Sequence, residues 1–279
     1  SSAVIAGATQ SARQWGLAHQ LLSAKEIRQR FPAFAPRPDE VGLYEPEAGA
    51  LNPEASVLTH LDLAVRAGAE VRFGQPVLEW RALSGGGVAV TTAEGEFTAE
   101  RLVITAGAWL GQLAPEIGLP LQVERNVMHW FEPLASATDL PVFIVERPDV
   151  PLFYGFPDLG GHGPKAALHH SHVLTTPSEI DRTVAPGEGD ELQRVVADWM
   201  PEVIGSVKRS AACIYTNTPD EHFVIGRHPV HEQVVIAGGF SGHGFKFVSV
   251  VGEILADLAT AGSTSLPIGL FDPSRFRRT

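Results

Sequence analysis

The spacing of hydrophobic and polar residues predicts alternating helices and strands along the whole chain. Apolar positions that recur at helical spacing predict five helices, at residues 3–15, 24–31, 53–67, 192–199 and 247–261. Alternating or continuous apolar runs predict nine strands, at residues 69–73, 77–80, 88–92, 102–105, 123–131, 142–145, 152–155, 207–215 and 234–237. This mixture indicates a mixed α/β fold, with α+β character in the strand-rich middle of the chain.

Local signals mark several of the element ends. Ser23 with Glu26 has the spacing of a capping box, and Pro32 ends the helix that follows. Asn52 precedes a proline at the first helical position, and we expect one apolar helix face there, formed by Val57, Leu61, Ala64 and Val65. The three glycines at 85–87 predict a hairpin turn, since the tripeptide is too short to be a phosphate loop.

Two continuous apolar strands, 102–105 and 234–237, lie far apart in the sequence, and each runs into a glycine-containing turn. Such strands are typical of a buried sheet, and we interpret them as parts of one nucleotide-binding α/β layer. The strand-rich segment between them is then an inserted second domain.

Composition and charge exclude several classes of function. The 279 residues include 21 Lys or Arg and 32 Asp or Glu, so the net charge of 21 − 32 = −11 argues against a nucleic-acid partner. No apolar run approaches the ~20 residues of a membrane span. The single cysteine excludes an internal disulfide and a multi-cysteine metal site, and it favours a cytoplasmic location. The first residues, Ser1 and Ser2, do not resemble a signal peptide, and we expect them to be an internal point of a longer protein.

The most informative segment is the glycine-rich run GGFSGHGFK at 238–246, between a buried strand and a helix. Glycines allow close approach of a ligand, and the start of a helix attracts negative charge, to which Lys246 would add. A tight turn with a solvent-facing lysine explains the same residues. The run is not a dinucleotide fingerprint, because Phe247 occupies the third glycine position, and no Ser or Thr follows the lysine as a phosphate loop requires.

Three further groups of residues remain ambiguous from spacing alone. Cys213, within a strand, is typical of an inert apolar cysteine. Strand alternation would put His169 and His170 on opposite faces, and no acidic residue or cysteine nearby completes a metal site, so we expect no metal. Lys165, flanked by Gly, Pro and Ala, is either a buried, positioned charge or a lysine reaching to solvent. No Gly-x-Ser-x-Gly occurs, which excludes the usual serine hydrolase.

These motifs together resemble one family. The segments VERNVMHWF (123–131), YGFP (154–157), CIYTNTPDEHF (213–223) and GFSGHGFKF (239–247) occur in the order and spacing of monomeric sarcosine oxidase and its relatives, N-methyltryptophan oxidase and pipecolate oxidase. The resemblance extends from about residue 26 to residue 271. It implies FAD-dependent oxidation of the C–N bond of a secondary amino acid, N-methyl or cyclic, by hydride transfer, with O2 as acceptor and H2O2 as product.

The resemblance also implies domains. It makes 51–120 and 225–279 part of a Rossmann-like FAD-binding domain and 121–224 a substrate domain with an antiparallel or mixed sheet. Residues 1–50 would be a helical lead-in and the start of that substrate domain. The full-length protein would be a monomer.

The resemblance assigns roles residue by residue. Cys213 matches the cysteine that is covalently bound to the flavin, Lys165 the lysine that accelerates oxygen reduction, and Lys246 the lysine beside the flavin pyrimidine and the substrate carboxylate. Substrate-cavity positions correspond to Tyr154, His169 and Tyr215. Further cofactor contacts correspond to Val77, Ala106, Gly107, Trp109, Gly239, Phe240, Gly242, His243, Gly244 and Phe245.

One feature of the family is not in this sequence. The family's leading strand, Gly-x-Gly-x-x-Gly loop and helix, with the arginine that binds the substrate carboxylate, have no counterpart here. We therefore expect this chain alone to bind FAD weakly and to be inactive. Two alternatives stay open: a dehydrogenase of the same fold with an acceptor other than O2, and a flavin-free module that binds a small molecule or a partner.

Overall fold

The computed structural model describes residues 2–134 and 140–276. The described residues form a mixed α/β fold, as predicted. The helices are α1 (Ala3–Trp15), α2 (Ala24–Arg30), α3 (Pro53–Arg66), α4 (Leu110–Leu113), α5 (Asp190–Trp199) and α6 (Val248–Thr260). The strands are β1 (Gln20–Ser23), β2 (Val41–Tyr44), β3 (Val77–Ala82), β4 (Val88–Thr92), β5 (Gly95–Ala99), β6 (Leu102–Ile104), β7 (Gln122–Pro133), β8 (Phe143–Arg147), β9 (Val150–Phe156), β10 (Lys165–Leu168), β11 (Val173–Thr175), β12 (Ile204–Asn217), β13 (Val224–Arg227) and β14 (Val234–Gly238).

Contacts divide the chain into two units. Unit 1 contains Ser1–Ala50, Arg125–Val173 and Ile180–Cys213, and unit 2 contains Leu51–Glu124, Leu174–Glu179 and Ile214–Thr279. The functional labels expected from the sequence, a substrate domain and a cofactor domain, stay predictions.

Unit 1 is built around an extended sheet. Its strand order is β11-β7-β10-β9-β8, and β12 also pairs with β7. The core lies on one face, where the apolar side of α5 packs against residues such as Phe131, Phe153 and Ala166, all at most 1 % exposed. This face of the sheet is therefore part of the core. The side chains on the opposite face of β7, β9 and β10 are not part of that core.

Unit 2 contains two three-stranded sheets, β13-β14-β6 and β3-β4-β5. β14 is parallel to β6 and antiparallel to β13, and all five residues of β14 are buried. Helix α6 covers this sheet with Val251, Ile254, Leu255 and Leu258, which form a core with β13 and β14. The prediction that strands 102–105 and 234–237 belong to one α/β layer is therefore confirmed, but β6 is only partly buried, with Val103 41 % exposed. Nucleotide binding by this layer stays a prediction.

The predicted caps are also confirmed. Ser23 and Glu26 form a reciprocal capping box at the start of α2. Asn52 accepts a hydrogen bond from Ala55 N and precedes Pro53 at the start of α3. The hairpin predicted at 85–87 joins the antiparallel strands β3 and β4.

One prediction of local structure is wrong. Residues 69–73 form no strand, because within the described residues no strand pairs with them to supply backbone hydrogen bonds. Helix α3 ends one residue before the predicted end, and none of its residues is buried; Val57 and Val65 of its apolar face are 44 % and 52 % exposed. The short strands β1, β2, β5, β10, β11 and β13 were not expected from the pattern.

Candidate functional site

The carboxyl ends of β6 and β14 lie at the same edge of the unit 2 sheet, because the two strands are parallel neighbours with Ile104 opposite Ile236. Each strand then enters a turn with a left-handed glycine, Gly107 at φ +54° and Gly239 at φ +59°. In open α/β sheets, ligands bind at this edge. The topology therefore brings together the two turns that the sequence assigned to a cofactor.

The glycine-rich turn after β14 is packed tightly against β12. Gly242 has φ +76°, and a Cβ added there would lie 2.3 Å from the nearest ring carbon of Tyr215. A side chain at position 242 would displace that ring. Glycine is therefore required at position 242 both by backbone conformation and by the position of Tyr215.

Hydrogen bonds hold the same turn to the end of β12. Ser241 N donates to Thr216 O over 3.0 Å, and Thr218 N donates to Ser241 Oγ over 3.3 Å. Ser241 is 1 % exposed and adopts a left-handed conformation, φ +47°, which is uncommon for a residue with a side chain. The turn is thus held in a conformation that it would not adopt alone, a feature common at ligand sites.

The turn ends in two titratable residues. Lys246 lies just before α6 and donates from Nζ to His243 O over 3.2 Å. Desolvation by the surrounding protein atoms lowers the pKa of Lys246, but the residue is exposed, so the alternative of a solvent-facing lysine stays open. Burial likewise lowers the pKa of His243, whose Nε2 is 3.1 Å from Glu221 O. A positive group therefore stands at the entrance of α6 and favours an anionic ligand.

The remaining predicted cofactor residues of unit 2 occupy its surface and its sheet edge. Val77, the first residue of β3, is 41 % exposed, and Trp109, in the short helical turn after Gly107, is 45 % exposed. Ala106 packs partly against the core under β6. Phe240, within the glycine-rich turn, contacts Phe223 at 4.9 Å between ring centroids and so ties the turn to the segment before β13. Gly244 and Phe245 complete the turn before α6.

In unit 1, strand register places Lys165 between two aromatic residues. Lys165 of β10 lies directly opposite Trp130 of β7 on one side and opposite Phe156 of β9 on the other. Directly paired residues project to the same face, so the three side chains form one row. The next residues along, Phe131 and Ala166, point to the core face. Lys165 is thus half-buried on the free face of the sheet, the face opposite the core, which fits both a positioned charge and a lysine that reaches to solvent, so both alternatives stay open.

The same face carries Tyr154. It lies two residues before Phe156 on β9, and the two rings meet edge to face at 5.9 Å. The ring of His169 lies 6.2 Å from that of Tyr154 and nearly perpendicular to it. Unit 1 therefore brings together three of the residues predicted to form the site: Tyr154, Lys165 and His169.

The expectation that His169 and His170 lie on opposite faces is wrong. β10 ends at Leu168, so strand alternation no longer applies, and the two imidazole rings are 4.4 Å apart. His169 N donates to Leu152 O over 2.8 Å, which holds the backbone against β9. Within residues 2–134 and 140–276, no group of three or more His, Cys, Asp or Glu is placed to hold a metal ion.

Residues that sequence reasoning missed hold this histidine segment in place. The buried Asn126 of β7 accepts a hydrogen bond at Oδ1 from Ser171 N over 2.9 Å, and Ser171 Oγ donates to Arg125 O. The neighbouring Arg125 donates to the Glu188 carboxylate. The signal in the sequence was the polar run Glu124-Arg125-Asn126 inside a predicted strand, which is unusual for buried positions.

Cys213 lies on β12, two residues before Tyr215, so both side chains point to the same face of that strand. The thiol belongs to a partly buried residue. Within unit 2, the left-handed turn and Lys246 lie at the carboxyl edge of a parallel strand pair, and this donor set fits an anionic group of FAD. In the described part of the chain, no helix is long and apolar enough to cross a membrane.

A family model and individual proteins of known name both match this chain. The family described as "DAO: FAD dependent oxidoreductase" matches residues 3–258. The chain is 48 % identical to a monomeric sarcosine oxidase of Streptomyces avermitilis over 98 % of its own length and 73 % of that protein. It is 34 % identical to an N-methyl-L-tryptophan oxidase of Escherichia coli, covering 99 % of this chain and 74 % of the relative.

Among solved structures, NikD, an unusual amino acid oxidase essential for nikkomycin biosynthesis, superposes with a TM-score of 0.80. That alignment has 25 % identity and covers 96 % of this chain and 72 % of NikD.

Proposed function

The chain belongs to the family of FAD-dependent oxidoreductases, and we propose on this basis that it oxidises the C–N bond of a secondary amino acid. The carbon beside nitrogen loses a hydride and the nitrogen loses a proton, so the amine becomes an imine. O2 gains the two electrons and two protons and becomes H2O2. FAD, when bound, accepts the hydride and passes the electrons to O2.

The observation that best supports this function is the placement of Lys246. It stands at the entrance of α6, directly after a left-handed glycine turn at the carboxyl edge of two parallel strands. There the charge of Lys246 and the helix N-terminus both stabilise negative charge. We assign Lys246 to the anionic pyrimidine side of the cofactor and to the carboxylate of the substrate.

We assign oxygen reduction and positioning of the amine to residues on the free face of the unit 1 sheet. We assign Lys165 to oxygen reduction, since the first electron turns neutral O2 into an anion that a nearby cation stabilises. The aromatic and imidazole rings of Tyr154 and His169 are assigned to position the amine beside an apolar N-alkyl or ring carbon. Tyr215, packed on Gly242, has the same role in unit 2.

We assign Cys213 to covalent attachment of the flavin. In that step a sulfur–carbon bond forms, the thiol loses its proton, the flavin methyl group loses a hydrogen, and the two electrons released pass to O2. The test is the intact mass of the acid-denatured holoenzyme. We expect an increment of one FAD less two hydrogens, absent in Cys213→Ala. An unmodified mass in a yellow wild-type protein would overturn the covalent assignment and leave the oxidation reaction intact.

The oxidation reaction itself is tested with a panel of amines. The full-length holoenzyme is mixed with sarcosine, other N-methyl amino acids, proline and pipecolate, with glycine as the primary-amine control, and H2O2 is measured. We expect peroxide from at least one secondary amino acid, and a KM that rises in Lys246→Met. Turnover only with an artificial electron acceptor would instead indicate a dehydrogenase. No turnover with any acceptor would favour a binding module.

A further inference from the structure

The side chains around Lys165 form a row whose order is set by the sheet. β10 lies between β7 and β9, and the register places Trp130, Lys165 and Phe156 side by side across the three strands. The Lys165 Nζ lies 4.6 Å from the centroid of the Phe156 ring and 5.6 Å from that of Trp130. Both distances are within the ~6 Å range of cation–π attraction.

The Trp130 ring is itself supported. The guanidinium of Arg209, on the neighbouring strand β12, lies 4.7 Å from the Trp130 ring centroid. The Phe156 ring is met edge to face by Tyr154. Each ring that contacts the lysine is therefore held by another side chain of the same unit.

An aromatic ring and a carboxylate restrain a cation in different ways. The ring attracts the ammonium through its quadrupole and carries no net charge, so its attraction does not cancel the positive charge that a developing anion needs. A lysine side chain has four rotatable bonds, and two flanking rings reduce the number of positions that its ammonium can take. The row thus restricts the positions that the Lys165 ammonium can take.

We propose that Trp130 and Phe156 are positioning residues that hold the Lys165 ammonium where it promotes oxygen reduction. This inference rests on the oxygen role proposed above for Lys165. In that step one electron reaches O2 and creates one negative charge, and a second electron with two protons completes H2O2. The rings take no part in electron or proton transfer. They act through Lys165 alone.

The first readout is the position of the ammonium, measured without turnover. The 279-residue sequence contains four lysines, at 25, 165, 208 and 246. Reductive methylation of the full-length holoenzyme with 13C-formaldehyde labels these lysines, and the signal that is lost in Lys165→Met is assigned to Lys165. We expect the Lys165 signal to be shifted upfield by ring currents. It should move downfield in Trp130→Leu and in Phe156→Leu, and furthest in the double variant.

The second readout separates the two halves of the catalytic cycle in unmodified protein. In the double variant we expect the rate constant for reaction of the reduced enzyme with O2 to fall roughly 5- to 30-fold, the range of two cation–π contacts. Flavin reduction by the amine should change less than twofold. Phe97→Leu is the matched control, because it removes a ring that contacts Arg72 at 4.7 Å elsewhere on the protein. It should change neither readout.

The outcomes distinguish this inference from the function on which it rests. An unchanged Lys165 signal in the double variant, or a moved signal with an unchanged oxygen rate, would overturn the positioning role. If Lys165→Met itself reacts with O2 as fast as wild type, the oxygen role of Lys165 is wrong. Equal losses in flavin reduction and oxygen reaction would show that the rings support the sheet generally.

Discussion

Substitution of Gly242 by alanine tests the packing at the glycine-rich turn. Gly242 has φ +76°, where a Cβ costs about 1–2 kcal/mol, and that Cβ would lie 2.3 Å from the Tyr215 ring. Real Cβ contacts are never this short, so the ring and its strand must shift, which adds about 1–3 kcal/mol for an overpacked site. We therefore expect Gly242→Ala to lower the free energy of unfolding by about 2–5 kcal/mol.

A glycine with nearly the same backbone conformation supplies the matched control. Gly262, just after α6, has φ +75°, and an added Cβ there would meet only the end of Arg227 at an ordinary 3.8 Å. Gly262→Ala should cost only the conformational part, about 1–2 kcal/mol. The difference between the two variants, measured by urea unfolding, isolates the conflict with Tyr215.

A double-mutant cycle then identifies the residue responsible. Tyr215→Ala removes the ring, so Gly242→Ala should be less damaging in that background, by about 1–3 kcal/mol. Equal costs for Gly242→Ala and Gly262→Ala would refute this reasoning, as would a cost at 242 that is unchanged when the ring is absent.

Three further predictions concern charged residues of unit 1. Arg147 is nearly fully buried and donates to the Glu40 carboxylate, so Arg147→Ala should destabilise by about 2–4 kcal/mol in urea unfolding, a clearly larger loss than that of Arg37→Ala, whose pair with Asp149 is exposed. Burial lowers the pKa of His129, so the unfolded chain binds more protons, and stability should fall as pH drops below about 6.5; His129→Gln should flatten that dependence. Lys165→Met should slow the reaction of reduced holoenzyme with O2 about 100-fold while flavin reduction is nearly unchanged, as measured by stopped flow.

A different result would contradict each of these three predictions. Equal losses for the two arginine variants would mean that burial adds nothing to the Arg147 pair. A pH dependence that is the same in His129→Gln would assign the acid sensitivity to other groups. Parallel slowing of both half-reactions would make Lys165 a structural residue.

What the sequence predicted well depends on neighbours along the chain. The capping box of Ser23 and Glu26, and the succession of strand, glycine turn and helix around 234–260, are set by residues within a few positions of one another. The parallel pairing of β6 with β14 was also within reach, because both strands are continuously apolar and both run into glycine turns.

What the sequence could not predict depends on register between distant strands. The row around Lys165 joins β7, β9 and β10, and β10 has only four residues with no alternation to mark it. Without β10, neither the aromatic neighbours of Lys165 nor the end of the strand before His169 could be located. The segment 69–73 shows the reverse case, an alternating pattern without a neighbouring strand.

The most direct test of the proposed reaction is a single turnover with oxygen controlled. The holoenzyme is mixed anaerobically with a secondary amino acid that supports turnover, and flavin absorbance is followed before and after O2 is admitted. We predict bleaching by the amine, then recovery of the oxidised spectrum with one H2O2 formed per flavin. Bleaching without recovery in O2 would contradict an oxidase, and no bleaching by any secondary amino acid would contradict amine oxidation altogether.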